Sequence, residues 1–425
     1  MEFVEHLRKY LNEEQLTQLM DSLSLPSTNA LLLNVEKMDA STLLSIYPKL
    51  TPHPIVPNGF LYNKEDYDLG RSIYHELGCF YLQEPSAMVV SYLLAPKPNE
   101  TILDLCAAPG GKSLQASILM QNTGVIIAND ISYSRARAIL ENAERLGRGN
   151  LIITNNDFSL IADRYQNYFD KIIVDAPCSG SGMFRKDKKM AEDWSIQKVL
   201  KFAEIQKSLI AMAYLMLKPG GTMVYSTCSY SYEENEEVIA SLLAQYDAEL
   251  LPITHPLFFV DNTLPYGAHL FPNLFPGEGH YLCLIKKKGL LRPNLRNENK
   301  SPLPYKLNAQ GYTFFAEYGQ YLYLQDKAIN LKGLNIIRHG VKVGQIDKNE
   351  VRYDIHYARF IKDFSFVCPL LEEEVRKYYQ GESILRVIPK GYVLLTFNGL
   401  TIDIAKSDGR IIKNRLPKGL RKKFY

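Results

Sequence analysis

The six cysteines of this 425-residue chain form no Cys-x-x-Cys pair, and none stands in a histidine cluster. Neither a zinc site nor a disulfide framework is indicated. No run of about eighteen apolar residues is present to span a bilayer. A signal peptide would open with a basic region and an apolar core, and here Glu2 and Glu5 interrupt the start. The excess of positive charge is only +3, so bulk charge does not mark a nucleic-acid binder; the placement of the basic residues must decide that. These absences describe a soluble, reduced, cytoplasmic protein with no membrane partner. Apolar residues at 46% and charged residues at 22% are ordinary globular proportions, and the length suggests two or three packed domains.

Val4, Leu7, Leu11, Leu16, Leu19 and Met20 fall near helical spacing, which predicts that helices open the chain. Residues 51–70, rich in Pro, Asn and Gly, read as loop. From residue 101 short β-rich runs alternate with helical stretches. Strands are expected at Thr101–Leu105, Gly124–Ala128, Leu151–Thr154, Lys171–Val174 and Gly221–Ser226, with helices at 112–121, 132–146, 196–217 and 232–245. That alternation predicts an α/β fold: a mainly parallel sheet with helices on both faces. Tyr281–Ile285 is expected to close the sheet at its edge. Basic residues then dominate Lys286–Lys300, and Arg292-Pro293-Asn294 reads as a turn. Beyond lies a β-rich half with short runs such as Tyr321–Leu324, Leu334–Arg338, Ile384–Val387 and Tyr392–Phe397. The expected division is 1–95, 96–288, 289–365 and 366–425.

The stretch from Asp104 through Cys106, Ala107, Ala108, Pro109, Gly110, Gly111 and Lys112 to Ser113 follows the first of these strands and opens a helix. Glycines there permit tight turning and close approach of backbone to a ligand, and the helix start offers unpaired N–H groups. A P-loop would need Gly where Cys106 stands, and no GxGxxG is present, so neither a triphosphate nor a dinucleotide is indicated. A tight turn without a ligand is the plain alternative. Asp130, Asp157 and Asp175 stand at the ends of successive strands. One such Asp is most simply a turn former or helix cap; three on the ligand side of an open sheet point to a nucleoside. Asp130 suits ribose hydroxyls and Asp157 an adenine amino group, so a methyl donor carrying adenosine fits.

The fourth strand leads into Asp175-Ala176-Pro177-Cys178 and the fifth into Ser226-Thr227-Cys228-Ser229. A free Cys is commonly a small buried hydrophobe, and Cys79, Cys283 and Cys368 are read so. Cys178 and Cys228 instead adjoin polar loops at the ligand side. Carbon 5 of a pyrimidine is a poor nucleophile, and addition of a thiolate to carbon 6 makes it reactive. Asp175 could hold the exocyclic amine or nitrogen 3 of cytosine. Ser231-x-x-Glu234 has the form of a capping box, whose helix start could lower the thiol pKa of Cys228. Spacing alone does not rank the two cysteines.

These residues resemble the Sun/Fmu-type RNA (cytosine-5) methyltransferases over about residues 70–287. The matching stretches are Gly78 to Ser86, Cys106 to Ser113, Asp175 to Gly182, and Ser226 to Tyr230 leading to Glu233-Glu234-Asn235-Glu236. The resemblance implies a Rossmann-like class I methyltransferase using S-adenosyl-L-methionine and no metal. It implies Cys228 as nucleophile, Cys178 in product release and Asp175 in cytosine orientation, with Cys106–Lys112, Asp130, Asp157 and Asp175 lining the cofactor pocket. The chain departs from the family's Gly-Glu-Gly-Phe-Phe, having Gly277-Glu278-Gly279-His280-Tyr281, and has Leu270-Phe271-Pro272-Asn273 where Arg and then Pro-His are common. The long C-terminal extension resembles the PUA-like RNA-binding module of bacterial small-subunit ribosomal RNA enzymes. The expected partner is therefore RNA, ribosomal RNA or the small subunit, rather than DNA, and the expected state a monomer; another RNA such as tRNA, or a non-catalytic assembly role, is the alternative. Candidate phosphate contacts are the loop Arg185–Lys189 and the tail from Arg410 to Tyr425, which has seven Lys/Arg, no acid after Arg410, and terminal Phe424 and Tyr425. A solvated surface loop and a solvated tail are the plain alternatives.

Overall fold

The computed structural model describes residues 2–261, 265–291, 314–327, 329–347, 350–361 and 364–424. The turn expected at Arg292–Asn294 lies outside them, as does Tyr425. At the centre five parallel strands run side by side in the order Leu217–Thr227, Phe169–Asp175, Thr101–Asp104, Val125–Asn129, Leu151–Thr154. Both faces are apolar because both are covered, as parallel sheets require. Ile102, Ile126, Ile173 and Val224 face a core shared with Val89, Leu114 and Ile139. Their neighbours Leu103, Ile127, Ile172 and Met223 face Ile161, Leu209, Ile210 and Ile239 on the other side. Helices Pro85–Leu94, Gly111–Leu119 and Tyr133–Leu146 thus cover one face, and Phe158–Arg164, Ile196–Met216 and Glu236–Gln245 the other.

The sheet is wider than expected on both sides. Tyr281–Lys287 runs antiparallel to Leu217–Thr227, but it is not the edge: Ala248–Leu251 pairs beyond it. That edge strand is four residues long and carries Glu249, too short to show a period. At the other side Ile336–His339, from the β-rich half of the chain, pairs antiparallel with Leu151–Thr154. Long-range pairing of this kind leaves no local pattern.

The N-terminal extension has the expected helices, Glu2–Leu7 and Glu13–Leu23. Leu7, Leu11, Leu16 and Leu19 pack with Tyr230 and Phe271. It also holds an antiparallel sheet of Thr51–Pro52, Gly59–Tyr62, Asn29–Leu33 and Phe80–Leu82, two of whose strands lie in the stretch read as loop. The C-terminal half has a four-stranded sheet spanning Phe314–Tyr353 and a five-stranded one spanning Val367–Lys413. The latter shares a core with the N-terminal sheet, where Leu31, Leu33 and Phe80 meet Tyr378, Val393 and Phe424.

Candidate active site

Strands Phe169–Asp175 and Leu217–Thr227 are neighbours, with Asp175 opposite Ser226. The chain continues past both ends into polar loops, and there the sulfur atoms of Cys178 and Cys228 lie 3.2 Å apart. The Gly182 N–H donates to the Cys228 carbonyl at 2.8 Å, and the Tyr230 N–H donates to Ser181 Oγ at 2.8 Å. A side chain at Gly182 would bring a Cβ within 2.7 Å of the Gly279 carbonyl, so the close approach requires glycine.

A buried carboxylate joins the two loops. Glu234 accepts from the Ser179 N–H at 2.7 Å, from Ser179 Oγ at 2.5 Å, from Gln206 Nε2 at 3.2 Å, and from Ser229 Oγ. The expected capping box is absent: Ser231 makes no side-chain cap bond, and the helix proper starts at Glu236. The donors on the two cysteine loops hold Glu234 instead. Burial pushes its carboxyl above the usual range against those donors. Hydrogen bonding to Cys228 and burial hold the Cys178 thiol well above its ordinary value.

Asp175 accepts from Lys112 Nζ at 2.7 Å and from Ser226 Oγ at 2.7 Å. Burial alone would raise its carboxyl, but Lys112, His280 and Ser226 keep it below the ordinary range, hence ionised. Lys112 follows Gly110, whose φ of 108° is left-handed, and Gly111, which starts the helix without a side-chain cap. The Arg135 guanidinium donates to the Ala108 carbonyl at 3.1 Å, tying the loop to the next helix.

Under this loop lies a group the sequence reading did not single out. Asp104 is fully buried; one oxygen accepts from Ser113 Oγ at 2.5 Å, and Oδ1 has no partner among the described residues. Burial pushes its carboxyl up to about 7, and Asp175 and Asp130 add to the rise. Asp130 is 2% exposed and accepts from the Ser132 N–H at 2.9 Å. Burial, then Asp104, Asp175 and Asp130, raise the Cys106 thiol well above its usual value. Cys106, Lys112, Asp130, Asp175, Cys178 and Cys228 thus stand near one another at the C-terminal ends of the strands. Asp157 stands apart. It is exposed and caps helix Phe158–Arg164, accepting from the Ser159 N–H at 2.9 Å and Ser159 Oγ at 2.6 Å.

The two basic candidates are altered by burial. Arg185 is not free for phosphate: its guanidinium pairs with buried Glu278 at 2.9 Å and also donates to the Gly277 carbonyl. Lys186, Lys188 and Lys189 remain exposed. In the tail, Arg415 donates to the Ile404 and Tyr353 carbonyls at 2.7 and 2.8 Å, and Lys422 pairs with Glu76. Phe424 is 8% exposed and packs on Tyr379 with ring centroids 5.1 Å apart, so it is core rather than a stacking surface. Arg410, Lys413, Lys418 and Lys423 are exposed. Among the described residues no helix is long and apolar enough to cross a membrane, and no cluster of three or more His, Cys, Asp or Glu could hold a metal.

Comparison with known proteins gives three family matches along the chain. Residues 91–285 match 16S rRNA methyltransferase RsmB/F, residues 1–85 the N-terminal domain of 16S rRNA methyltransferase RsmF, and residues 365–422 the methyltransferase RsmF PUA domain. The ribosomal RNA small subunit methyltransferase F of Klebsiella pneumoniae is 30% identical, the match covering 93% of this chain and 90% of that protein. Its namesake in Vibrio parahaemolyticus is 30% identical over 87% of this chain and 86% of its own length. Among solved structures, a methyltransferase homolog protein from Pyrococcus horikoshii superposes with a TM-score of 0.60 at 29% identity, covering 67% of this chain and 94% of its own.

Proposed function

The chain belongs to the RsmB/F family of 16S rRNA methyltransferases, with the N-terminal and PUA domains of the RsmF type, and from that membership we propose that it transfers a methyl group from S-adenosylmethionine to carbon 5 of a cytosine in small-subunit ribosomal RNA. The observation that carries the chemistry is the pair of thiols 3.2 Å apart beside an ionised Asp175. A binding module has no use for two adjacent thiols in its crevice.

The residues present fit the cofactor. An orphaned carboxyl oxygen on Asp104, with Asp130 and Asp175 nearby, suits a ligand that carries a cationic sulfonium, an amine and ribose hydroxyls. Cys106–Lys112, Asp130 and Asp175 would hold it, with Asp157 at the adenine end in addition to its capping role. When bound, S-adenosylmethionine supplies an electrophilic methyl group.

The Cys228 thiolate adds to carbon 6 of the cytosine, which makes carbon 5 electron-rich. Asp175, steadied by Lys112 and Ser226, holds the exocyclic amine or nitrogen 3. After methylation Cys178 assists loss of the carbon-5 proton and departure of the Cys228 sulfur, which restores the aromatic ring. Exposed Lys186, Lys188 and Lys189, next to the Cys178 loop, suit the RNA backbone. The enzyme would act as a monomer in the cytoplasm, with residues 1–95, 289–365 and 366–425 as flanking domains around 96–288. Mapping 5-methylcytosine in ribosomal RNA from cells with and without the gene tests this reading. Loss of one small-subunit site supports it; loss only from tRNA, or no loss, refutes the assignment.

A further inference from the structure

Cys178 and Cys228 are held together by more than their own contact. Past the strand ends the Ala176 N–H donates to the Ser226 carbonyl at 2.9 Å, and the Gly182 N–H to the Cys228 carbonyl at 2.8 Å. Between these bonds Ser179 Oγ lies 3.2 Å from Ser229 Oγ, and both serines donate to Glu234. The two loops therefore run side by side through the stretch that carries the thiols. A disulfide bond is about 2.05 Å long. The sulfur atoms, 3.2 Å apart, stand little more than an ångström beyond that.

The other four cysteines are placed differently. Cys79, Cys283 and Cys368 are buried. Burial pushes the Cys79 thiol up to about 11 and raises the Cys283 thiol as well. Cys368 Sγ accepts from Arg386 Nη1 at 3.1 Å. Cys106 is partly exposed, but burial and the carboxyls of Asp104, Asp175 and Asp130 hold its thiol well above the usual value. Cys178 and Cys228 are both partly exposed, and each has the other as its neighbouring thiol. Peroxides oxidise the thiolate rather than the thiol. Hydrogen bonding to Cys228, then burial, keeps the proton on Cys178, so Cys178 donates its S–H to the Cys228 sulfur. Cys228 is then the sulfur that meets an oxidant, and Cys178 is the neighbour that resolves it. Oxidation of Cys228 also removes the first of the causes that hold the Cys178 proton.

We propose that Cys178 and Cys228 form an oxidative modification site, at which a hydroperoxide converts the pair to a disulfide and reversibly stops methyl transfer. The off state rests on the proposed function, in which Cys228 must be free to attack. The Cys228 thiolate attacks the terminal oxygen of the hydroperoxide. A sulfur–oxygen bond forms, the oxygen–oxygen bond breaks, and its electron pair leaves on the departing oxygen, which takes a proton from solvent. Sulfur is oxidised to a sulfenic acid, and the peroxide is reduced to an alcohol or water. The Cys178 sulfur then attacks the Cys228 sulfur. The sulfenic oxygen leaves as hydroxide and becomes water with the Cys178 proton. A thiol reductant reverses the bond by exchange, being oxidised as the pair is reduced. The disulfide withholds Cys228 from the cytosine and stops its passage to the irreversible sulfinic acid.

The test uses the full-length protein, treated with a few equivalents of hydrogen peroxide in the absence of RNA and methyl donor. After quenching with catalase, it is denatured, alkylated with N-ethylmaleimide and digested without reduction for peptide mass spectrometry. The expected result is one cross-linked product joining the Cys178 and Cys228 peptides, with the other four cysteines alkylated. Methylation of small-subunit ribosomal RNA by the oxidised protein should fall about tenfold or more and return with dithiothreitol. In Cys178→Ser, Cys228 should instead be recovered as sulfinic acid, which dithiothreitol does not reverse. A wild-type Cys228 found unmodified, sulfinic, or joined to Cys106 overturns the proposal. The peptide map needs neither substrate, so its failure leaves the assignment of ribosomal RNA cytosine untouched. A cross-link formed while methylation continues overturns the off state through the reading beneath it, Cys228 as nucleophile.

Discussion

The sulfur atoms of Cys178 and Cys228 lie 3.2 Å apart although the residues are separated by 50 positions and end different strands. Two features produce that distance. Parallel pairing sets Asp175 opposite Ser226, and Glu234 then ties the loops beyond, accepting from Ser179 on one and Ser229 on the other. A small shift of either loop would separate the group that attacks from the group that assists release, and well-oriented groups account for much of an enzyme's rate.

Glu234 is accordingly the position where a substitution outside the thiols should cost most. Glu234→Ala leaves the Ser179 N–H, two hydroxyls and the Gln206 amide without their acceptor. Each buried donor left unpaired costs about 1–3 kcal/mol. Guanidinium denaturation should show a loss of about 3 kcal/mol or more, with single-turnover methylation down roughly a hundredfold at saturating cofactor. Glu234→Gln, which keeps the shape, should lie between. Methylation unchanged in Glu234→Ala would separate the carboxylate from the alignment of the thiols.

Asp130 and Asp157 should behave differently although both follow a strand. Asp130 is buried beside the cofactor loop, and Asp157 is an exposed cap. Titration calorimetry should find S-adenosylmethionine binding weakened about tenfold or more in Asp130→Ala, about 1.4 kcal/mol. Asp157→Ala should lose about 1 kcal/mol of stability through its cap, with a smaller loss of affinity. Equal losses of affinity would make the two carboxylates equal partners in the pocket.

Buried histidines should make the fold sensitive to acid. Burial, with Arg145 and Lys422 nearby, pushes His75 down to about 3, and burial pushes His339 to about 4. An unfolded histidine titrates near 6.5. Between these values the unfolded chain binds more protons than the native one, so stability is full above about pH 6.5 and falls as pH drops toward 4 and then 3. Denaturation midpoints should fall from pH 7 to pH 4.5, and less steeply in His75→Gln. A slope unchanged by that substitution would assign the acid sensitivity to other groups.

What was legible in the sequence was local. The five parallel strands, the Cys106–Lys112 turn and the two thiols are each marked by adjacent residues, because a strand end and a Gly-rich turn need only their own neighbours. What required the fold was contact across distance. Arg185 sits in a basic run and reads as a candidate phosphate contact, yet Glu278 captures it 93 positions away. Phe424 reads as a free terminal ring and is buried on Tyr379. Glu234 reads as half of a capping box and joins two loops instead. Ile336–His339 gives no sign in its own residues that it joins the central sheet. His280 departs from the family's phenylalanine, and only the fold shows its ring seated on Ser86 with Glu84 behind.

The division of labour between the thiols is the centre of the account. The direct measurement is incubation of the wild type, Cys178→Ala and Cys228→Ala with S-adenosylmethionine and labelled small-subunit ribosomal RNA, resolved on a denaturing gel. Cys178→Ala should accumulate a slow-migrating RNA–protein adduct, and Cys228→Ala should show neither adduct nor methylation. An adduct that accumulates in Cys228→Ala instead would contradict the account and reverse the two roles.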